Sequence, residues 1–159
     1  MKLGSGIAEI PELVEKGVNV ALGTDGPASN NNFNLFEEMK TASLVHKLES
    51  PENINEQQVL DMATINGAKA LGLEEKIGSI EEGKKADLLI INLDRPEMKP
   101  FHGKKGVISN LVFSFTGHPE KVFVNGEKVV DKEKVEAVDR DKILEKAQKR
   151  SEKFERSEE

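Results

Sequence analysis

The stretch Val18-Asn-Val-Ala-Leu-Gly-Thr-Asp25-Gly-Pro-Ala-Ser-Asn-Asn-Asn32 decides how this chain is read. Val18, Val20, Ala21 and Leu22 form a near-continuous apolar run, the pattern of a strand covered on both faces in a parallel sheet. Gly23 and Gly26 bracket Thr24 and Asp25, so the chain can leave the strand sharply and present one carboxylate at its C-terminal end. In parallel α/β folds that end carries ligands and catalysis. Pro27 and the run Ser29-Asn-Asn-Asn32 stop the strand, and Asn32 or Asn34 is placed to cap the helix that follows. Taken alone, Asp before Gly is also a common turn pair, and the surrounding sequence has to separate the two readings.

Working outward, residues 1–8 are rich in Gly and read as loop. Ile10, Leu13 and Val14 form an apolar helical stripe that Gly17 ends as a C′ residue. Residues 34–48 predict a second helix. Leu35, Phe36, Met39, Ala42, Leu44 and Val45 mark its buried side, and Glu37, Glu38 and Lys40 its wet side. His46 ends that helix with no second ligand at i±4, so it reads as a dipole partner or a solvated tip. After a linker at Ser50–Asn53, Asn55 and Gln58 have the form of a capping box. They open a third helix through Val59, Leu60, Met62, Ala63, Ile65 and Ala68, ended by Gly72, with Gly67 predicting a close backbone approach inside it.

From Ile77 short apolar runs alternate with turns, which predicts β structure. Ile77–Ile80 reads as a short strand, Glu81–Lys85 as a turn, and Ala86–Ile91 as a strong strand with Asp87 as a structural residue at its entry. Residues 94–107 read as a long loop containing His102. Val107–Phe115 fits either a strand or a short helix, and His118 before Pro119 is a turn residue. Val122-Phe-Val124 and Lys128-Val-Val130 flank Asn125-Gly126, the signature of a type I′ hairpin. Val135–Glu159 predicts a charged helix with the i,i+4 pairs Glu145/Lys149 and Glu152/Arg156. Its thin apolar stripe of Ile143, Leu144, Ala147 and Phe154 suggests docking by the first half and fraying after Lys149, with partner binding as the alternative.

Composition narrows the function classes. Cysteine is absent, which excludes disulfides, thiolate metal sites and a Cys nucleophile. A formal net charge of −6 argues against general nucleic-acid binding. Gly4-Ser5-Gly6 breaks any secretory h-region after Met1-Lys2, and no apolar run approaches the ~20 residues of a membrane span. The expectation is a soluble, cytoplasmic protein. No G-x-S-x-G elbow, Walker A motif or dinucleotide fingerprint occurs.

Several blocks in order carry a family resemblance: Gly17-Val-Asn-Val-Ala-Leu-Gly-Thr-Asp25-Gly, Ser29-Asn-Asn-Asn32, Phe36-Glu-Glu-Met39, Ala63-Thr-Ile-Asn-Gly-Ala-Lys-Ala-Leu-Gly-Leu73, Ile77 through Ile91, and Val122 through Val130. Together they resemble metal-dependent amidohydrolases, on the branch of 5-methylthioadenosine/S-adenosylhomocysteine deaminases and chlorohydrolases. The resemblance implies an α/β fold: the last β/α unit of an incomplete (β/α)8 barrel over residues 1–74, part of an accessory β-sandwich over 75–134, and the charged helix over 135–159. It implies that Asp25 is both a catalytic residue and a ligand of a divalent metal, most naturally zinc, in a completed barrel. There it would help hold a metal-bound water and take its proton for attack on C6 of an adenine ring, with release of ammonia. The complete enzyme would be a hydrolase of non-peptide C–N bonds acting on a purine-type substrate.

The family's other ligands are histidines in His-x-His and similar arrangements. His46, His102 and His118 fall in no such spacing. The barrel typically takes about 250 residues, more than this chain's 159. We therefore expect a C-terminal portion of such an enzyme, inactive and without tightly bound metal on its own. The alternative is a non-catalytic chain that self-associates or caps a partner. Exposed strand edges favour homo-oligomers in either case.

Overall fold

The computed structural model describes residues 3–155, in a mixed α/β arrangement of six helices and one sheet. Helix α1 spans Ile10–Glu15 and stops as the sequence indicates: Gly17 takes φ 75°, its N–H donates to the Val14 carbonyl and the Val18 N–H to the Leu13 carbonyl. These two bonds satisfy carbonyls that the helix end leaves open.

Helix α2 spans Leu35–His46, with the Asn34 side chain accepting from the Phe36 N–H at 3.1 Å. Helix α3, Glu56–Met62, opens on the complete capping box of Asn55 and Gln58. The third helix expected to run to Gly72 is in fact two, because α4 starts anew at Ile65 and ends at Ala70. The break has a physical reason. The Met62 carbonyl, instead of staying inside a helix, accepts the Leu22 N–H at 3.0 Å.

Helices α2 and α3 close a core with α5, Gly103–Phe113. Met39, Ile54, Val59, Met62, Ile108 and Val112 are its buried side chains. Burying each such side chain contributes about 1.5–3 kcal/mol. Ser43, fully buried, donates its hydroxyl to the Ile54 carbonyl at 3.0 Å. Leu44, expected on the buried side of α2, is exposed. Residues 107–113 are helix rather than strand, Ser114 and Phe115 lie just past its end, and the helix begins earlier, at Gly103. The long loop before it is shortened further by a 3-10 turn at Pro96–Met98. The Asn110 side chain staples this turn to α5 by donating to the Met98 and Pro100 carbonyls, both at 2.9 Å.

The expected close approach falls at a different glycine. A Cβ on Gly67 would meet nothing nearer than the Met62 carbonyl at 4.0 Å. A Cβ on Gly78 would sit 2.7 Å from the Ala68 Cβ and 3.0 Å from the Ile65 Cα, with φ at 93°. Ile77–Ile80 is accordingly a turn packed against α4 and not a strand, and Ile80 is exposed.

The sheet is an antiparallel meander in the order β1-β2-β3-β4: Leu88–Ile90, Lys121–Val124, Glu127–Asp131 and Lys134–Val135. Its first strand is shorter than the Ala86–Ile91 run. Asn125 and Gly126 have φ 52° and 84°, the two positive values a type I′ hairpin requires. The Asp87 carboxylate accepts the Asn125 N–H at 2.6 Å, so its structural role is to hold that hairpin across 38 positions of sequence.

Arg95 joins sheet to helices. Its guanidinium lies 5.9 Å from the Phe115 ring centre, pairs with Glu133 in the β3–β4 turn, and donates to the His118 carbonyl. Phe115 in turn meets Phe36 of α2 edge-on at 4.9 Å.

The final helix, α6, spans Arg140–Glu155, preceded by β4 rather than starting at Val135. Its Lys149–Glu145 pair forms at 2.5 Å, whereas the Glu152/Arg156 pair lies outside the described residues. It is helical to Glu155, and in its first half Ile143 and Leu144, about half exposed, line a hollow together with His118, Val135 and Val138. No described helix is long and apolar enough to cross a membrane.

Candidate functional site

The apolar run 18–24 forms no ladder among the described residues. It is nevertheless extended, with Val20, Leu22 and Thr24 half-buried in alternation with exposed Ala21, Gly23 and Asp25. Val20 and Leu22 pack onto the helical core. Asn66 fastens the segment: its side chain donates to the Val20 carbonyl, and its carbonyl accepts from the Asn19 side chain, both at 3.0 Å. The expectation of a strand covered on both faces is thus corrected to a segment covered on one. The helices of this chain supply one cover, and no neighbouring strand lies alongside among the described residues.

Asp25 ends that segment. Its backbone is in the left-handed region, φ 58°, which is sparsely populated by residues other than Gly, although Asp tolerates it better than most. The carboxylate accepts the Gly26 N–H at 2.7 Å. That bond, then one from the Ser29 side chain, holds the Asp25 carboxyl below the usual carboxylate range, so it is an anion at neutral pH. The Gly26 carbonyl accepts the Ser29 and Asn30 N–H groups at 3.0 and 2.9 Å, closing a tight turn.

Asp25 borders an open depression of about 490 Å³ lined also by Leu3, Ser5, Thr24, Ser29, Glu38 and Thr41. The asparagine run has a clear local use. The Asn30 side chain donates to Glu38 at 2.5 Å and that of Asn32 to Glu37 at 2.7 Å, while Asn32 also accepts the Asn34 N–H. Sequence reading assigned Glu38 to the wet face of α2 and missed this inward role. The signal was available in the pairing of a Ser-Asn-Asn-Asn run with Glu-Glu in the first turn of the next helix.

The three histidines do not join Asp25. His46 is buried, 6% exposed, beside Ile7, Ile10 and Val45, so the solvated-tip reading is corrected. His102 precedes α5 and His118 lies in the loop before β2, both exposed. Among the described residues no three His, Asp or Glu side chains form a group able to hold a metal ion. A catalytic zinc usually needs three protein ligands and an open position. Asp25 fits one such ligand, and the residues present do not make a site.

The sequence profile of the amidohydrolase family matches residues 1–129. This chain belongs to the amidohydrolase family. Within it, the chain falls on the deaminase and chlorohydrolase branch. It is 49% identical over 157 residues to a 5'-deoxyadenosine deaminase of Methanosarcina barkeri, covering 97% of this chain and 35% of that protein. It is 42% identical over 161 residues to a 5-methylthioadenosine/S-adenosylhomocysteine deaminase of Caldanaerobacter subterraneus, covering 99% of this chain and 36% of that one. Among solved structures, a zinc-bound adenosine deaminase from Xanthomonas campestris superposes with a TM-score of 0.90 at 32% identity, over 97% of this chain and 35% of that chain. A zinc complex of atrazine chlorohydrolase from Arthrobacter aurescens gives 0.82 at 30% identity, over 91% and 32%. The chain therefore spans about a third of the length of the relatives it matches.

Proposed function

We propose that this chain carries the C-terminal part of a zinc-dependent amidohydrolase that deaminates an adenosine-type nucleoside, and that Asp25 is its contribution to the metal centre. Residues 1–74 would close a (β/α)8 barrel, 75–134 would complete an accessory β-sandwich, and 135–159 would form a terminal helix. The observation that carries the proposal is the state of segment 18–25. One face is packed and fastened by Asn66, the other is bare, and an ionised carboxylate stands at its end. A strand with its helix-covered face packed, its other face bare and a carboxylate at its exit suits a position in a parallel barrel, whose reactive groups gather at strand C-termini. On this reading Asp25 contributes a fixed negative charge, held by the Gly26 N–H, and other segments supply the remaining ligands and the nucleoside pocket.

The test is a chimera in which this chain replaces the 157 matched residues of the M. barkeri relative. The chimera is expected to retain zinc and to release ammonia from 5'-deoxyadenosine. Asp25→Asn should cut the rate by about a hundred- to a thousandfold, as loss of a group from a preorganised site does. A chimera that retains zinc and turns over undiminished with Asp25→Asn would refute the role.

The bare face of 18–25 and the absence of a paired strand beside it among the described residues also support a second reading, in which two copies of the chain associate through it. Sedimentation of the purified chain decides it. A dimer dispersed by Ala21→Lys, on the exposed side of the segment, supports association through this face, and a monomer at all concentrations rules it out.

A further inference from the structure

We infer that Glu38, through the Asn30 side chain, is the positioning residue that holds Asp25 in its left-handed conformation. The inference rests on the proposed role of Asp25 for its importance to catalysis, but its geometry stands independently. A non-glycine residue in a sparsely populated backbone region persists only where its surroundings over-determine it. At Asp25 the sheet does not do so, because segment 18–24 has no paired strand among the described residues. The local turn is short: the Gly26 N–H meets the carboxylate, and the Gly26 carbonyl collects the Ser29 and Asn30 N–H groups.

Beside these and the Ser29 side-chain bond to the carboxylate, a side-chain bond to the next helix anchors the turn from outside. Asn30 Nδ2 donates to Glu38 Oε1 at 2.5 Å, and the pair is partly shielded from water. Glu38 sits in the first turn of α2, next to Met39, which is 3% exposed in the core. The chain of contacts is therefore continuous. Core packing fixes α2, α2 fixes Glu38, Glu38 fixes Asn30, and Asn30 fixes the turn whose Gly26 N–H holds the carboxylate. The neighbouring Glu37 serves a different end, because its partners Asn32 and Asn34 belong to the cap of α2.

A bond to an ionised carboxylate is stronger than one between neutral groups. The roles of donor and acceptor can also be exchanged without changing the heavy-atom skeleton, since Asn and Asp, and Glu and Gln, are isosteric. Asn30→Asp alone sets two carboxylates against each other, whereas Asn30→Asp together with Glu38→Gln restores one donor and one acceptor.

The experiment is backbone 15N relaxation on the full chain. In the parent protein the amides of Asp25, Gly26 and Ser29 are expected to be rigid, with order parameters near about 0.85. In Glu38→Ala and in Asn30→Asp they should fall below about 0.6, while the amides of Met39 and Ser43 in α2 stay unchanged. The double exchange should return them to the parent value. A merely structural contribution of Glu38 to α2 would instead move Met39 and Ser43, and the exchange would not rescue it. Unchanged order at Asp25, Gly26 and Ser29 in both single variants would overturn the inference. Its failure would be separate from failure of the proposed function, which is read from Asp25→Asn in the chimera.

Discussion

The helical layer and segment 18–25 are built from similarly apolar sequence and end in opposite states. In the layer, Val59, Met62 and Val112 find partners on α2, α3 and α5 and are buried to 2% exposure or less. In the segment, Val20 and Leu22 reach the same core, yet Val18 stays 48% exposed and no ladder forms among the described residues. Helices satisfy their own backbone and need only one covered face. An extended segment leaves N–H and C=O groups on both flanks and needs neighbours. The layer is thus a finished scaffold, and the segment is a carboxylate bearer held against it on one side.

Truncation of one side chain in each region separates the two most strongly. Met62→Ala should cost about 2–5 kcal/mol, the range for emptying a buried methionine site. Val20→Ala should cost roughly 1 kcal/mol or less, because its side chain is only half-buried and the site can collapse. Urea denaturation of both variants measures the difference. Equal losses would show that segment 18–25 is as integral to the core as α3.

A second pair sharpens the boundary of the layer. Gly78→Ala should destabilise by about 1–3 kcal/mol, since the new methyl collides with Ala68 and Ile65 at a positive φ. Gly67→Ala, inside α4 with only the Met62 carbonyl at an ordinary contact distance of 4.0 Å, should stabilise by roughly 0.5–1 kcal/mol through helix propensity. Thermal melts of the two variants should move in opposite directions.

The contrast also explains what could be read in the sequence. The caps at Asn34 and Asn55, the Gly17 helix stop and the Asn125-Gly126 hairpin were legible because each is decided within a few residues. Asp25 stood out as a candidate because glycines bracket it at the end of an apolar run. The α3–α4 break was not legible, because its cause is the Leu22 N–H about 40 positions away in sequence. The close approach was misplaced from Gly78 to Gly67 for the same reason: it is set by how a later turn folds over α4. The burial of His46 and the inward turn of Glu38 likewise depend on what the Gly-rich start and the asparagine run lay over α2.

Smaller effects test the local claims. Asn55→Ala removes the acceptor for the Gln58 N–H and should cost about 1 kcal/mol in the same denaturation assay.

The smallest effect lies in the sheet, where Lys128 donates to Asp131 at 2.7 Å. That bond lowers the Asp131 pKa, and the same pairing raises that of Lys128. A depressed carboxyl stabilises the fold above the ordinary carboxylate range and loses that contribution as pH falls through its folded value. A raised lysine stabilises below the ordinary lysine range and loses its contribution as pH rises through its folded value. The melting difference between the parent and Asp131→Asn should therefore be a plateau across neutral pH that shrinks toward both extremes. A difference that grew on acidification would contradict the pairing.

The proposal that Asp25 is one metal ligand awaiting others is tested by the zinc content of the purified chain. After equilibration with zinc and gel filtration, elemental analysis should find far less than one zinc per chain, and Asp25→Asn should leave that figure unchanged. Zinc near one per chain, lost on Asp25→Asn, would contradict the claim, because the chain would then gather a complete metal site around Asp25 by itself.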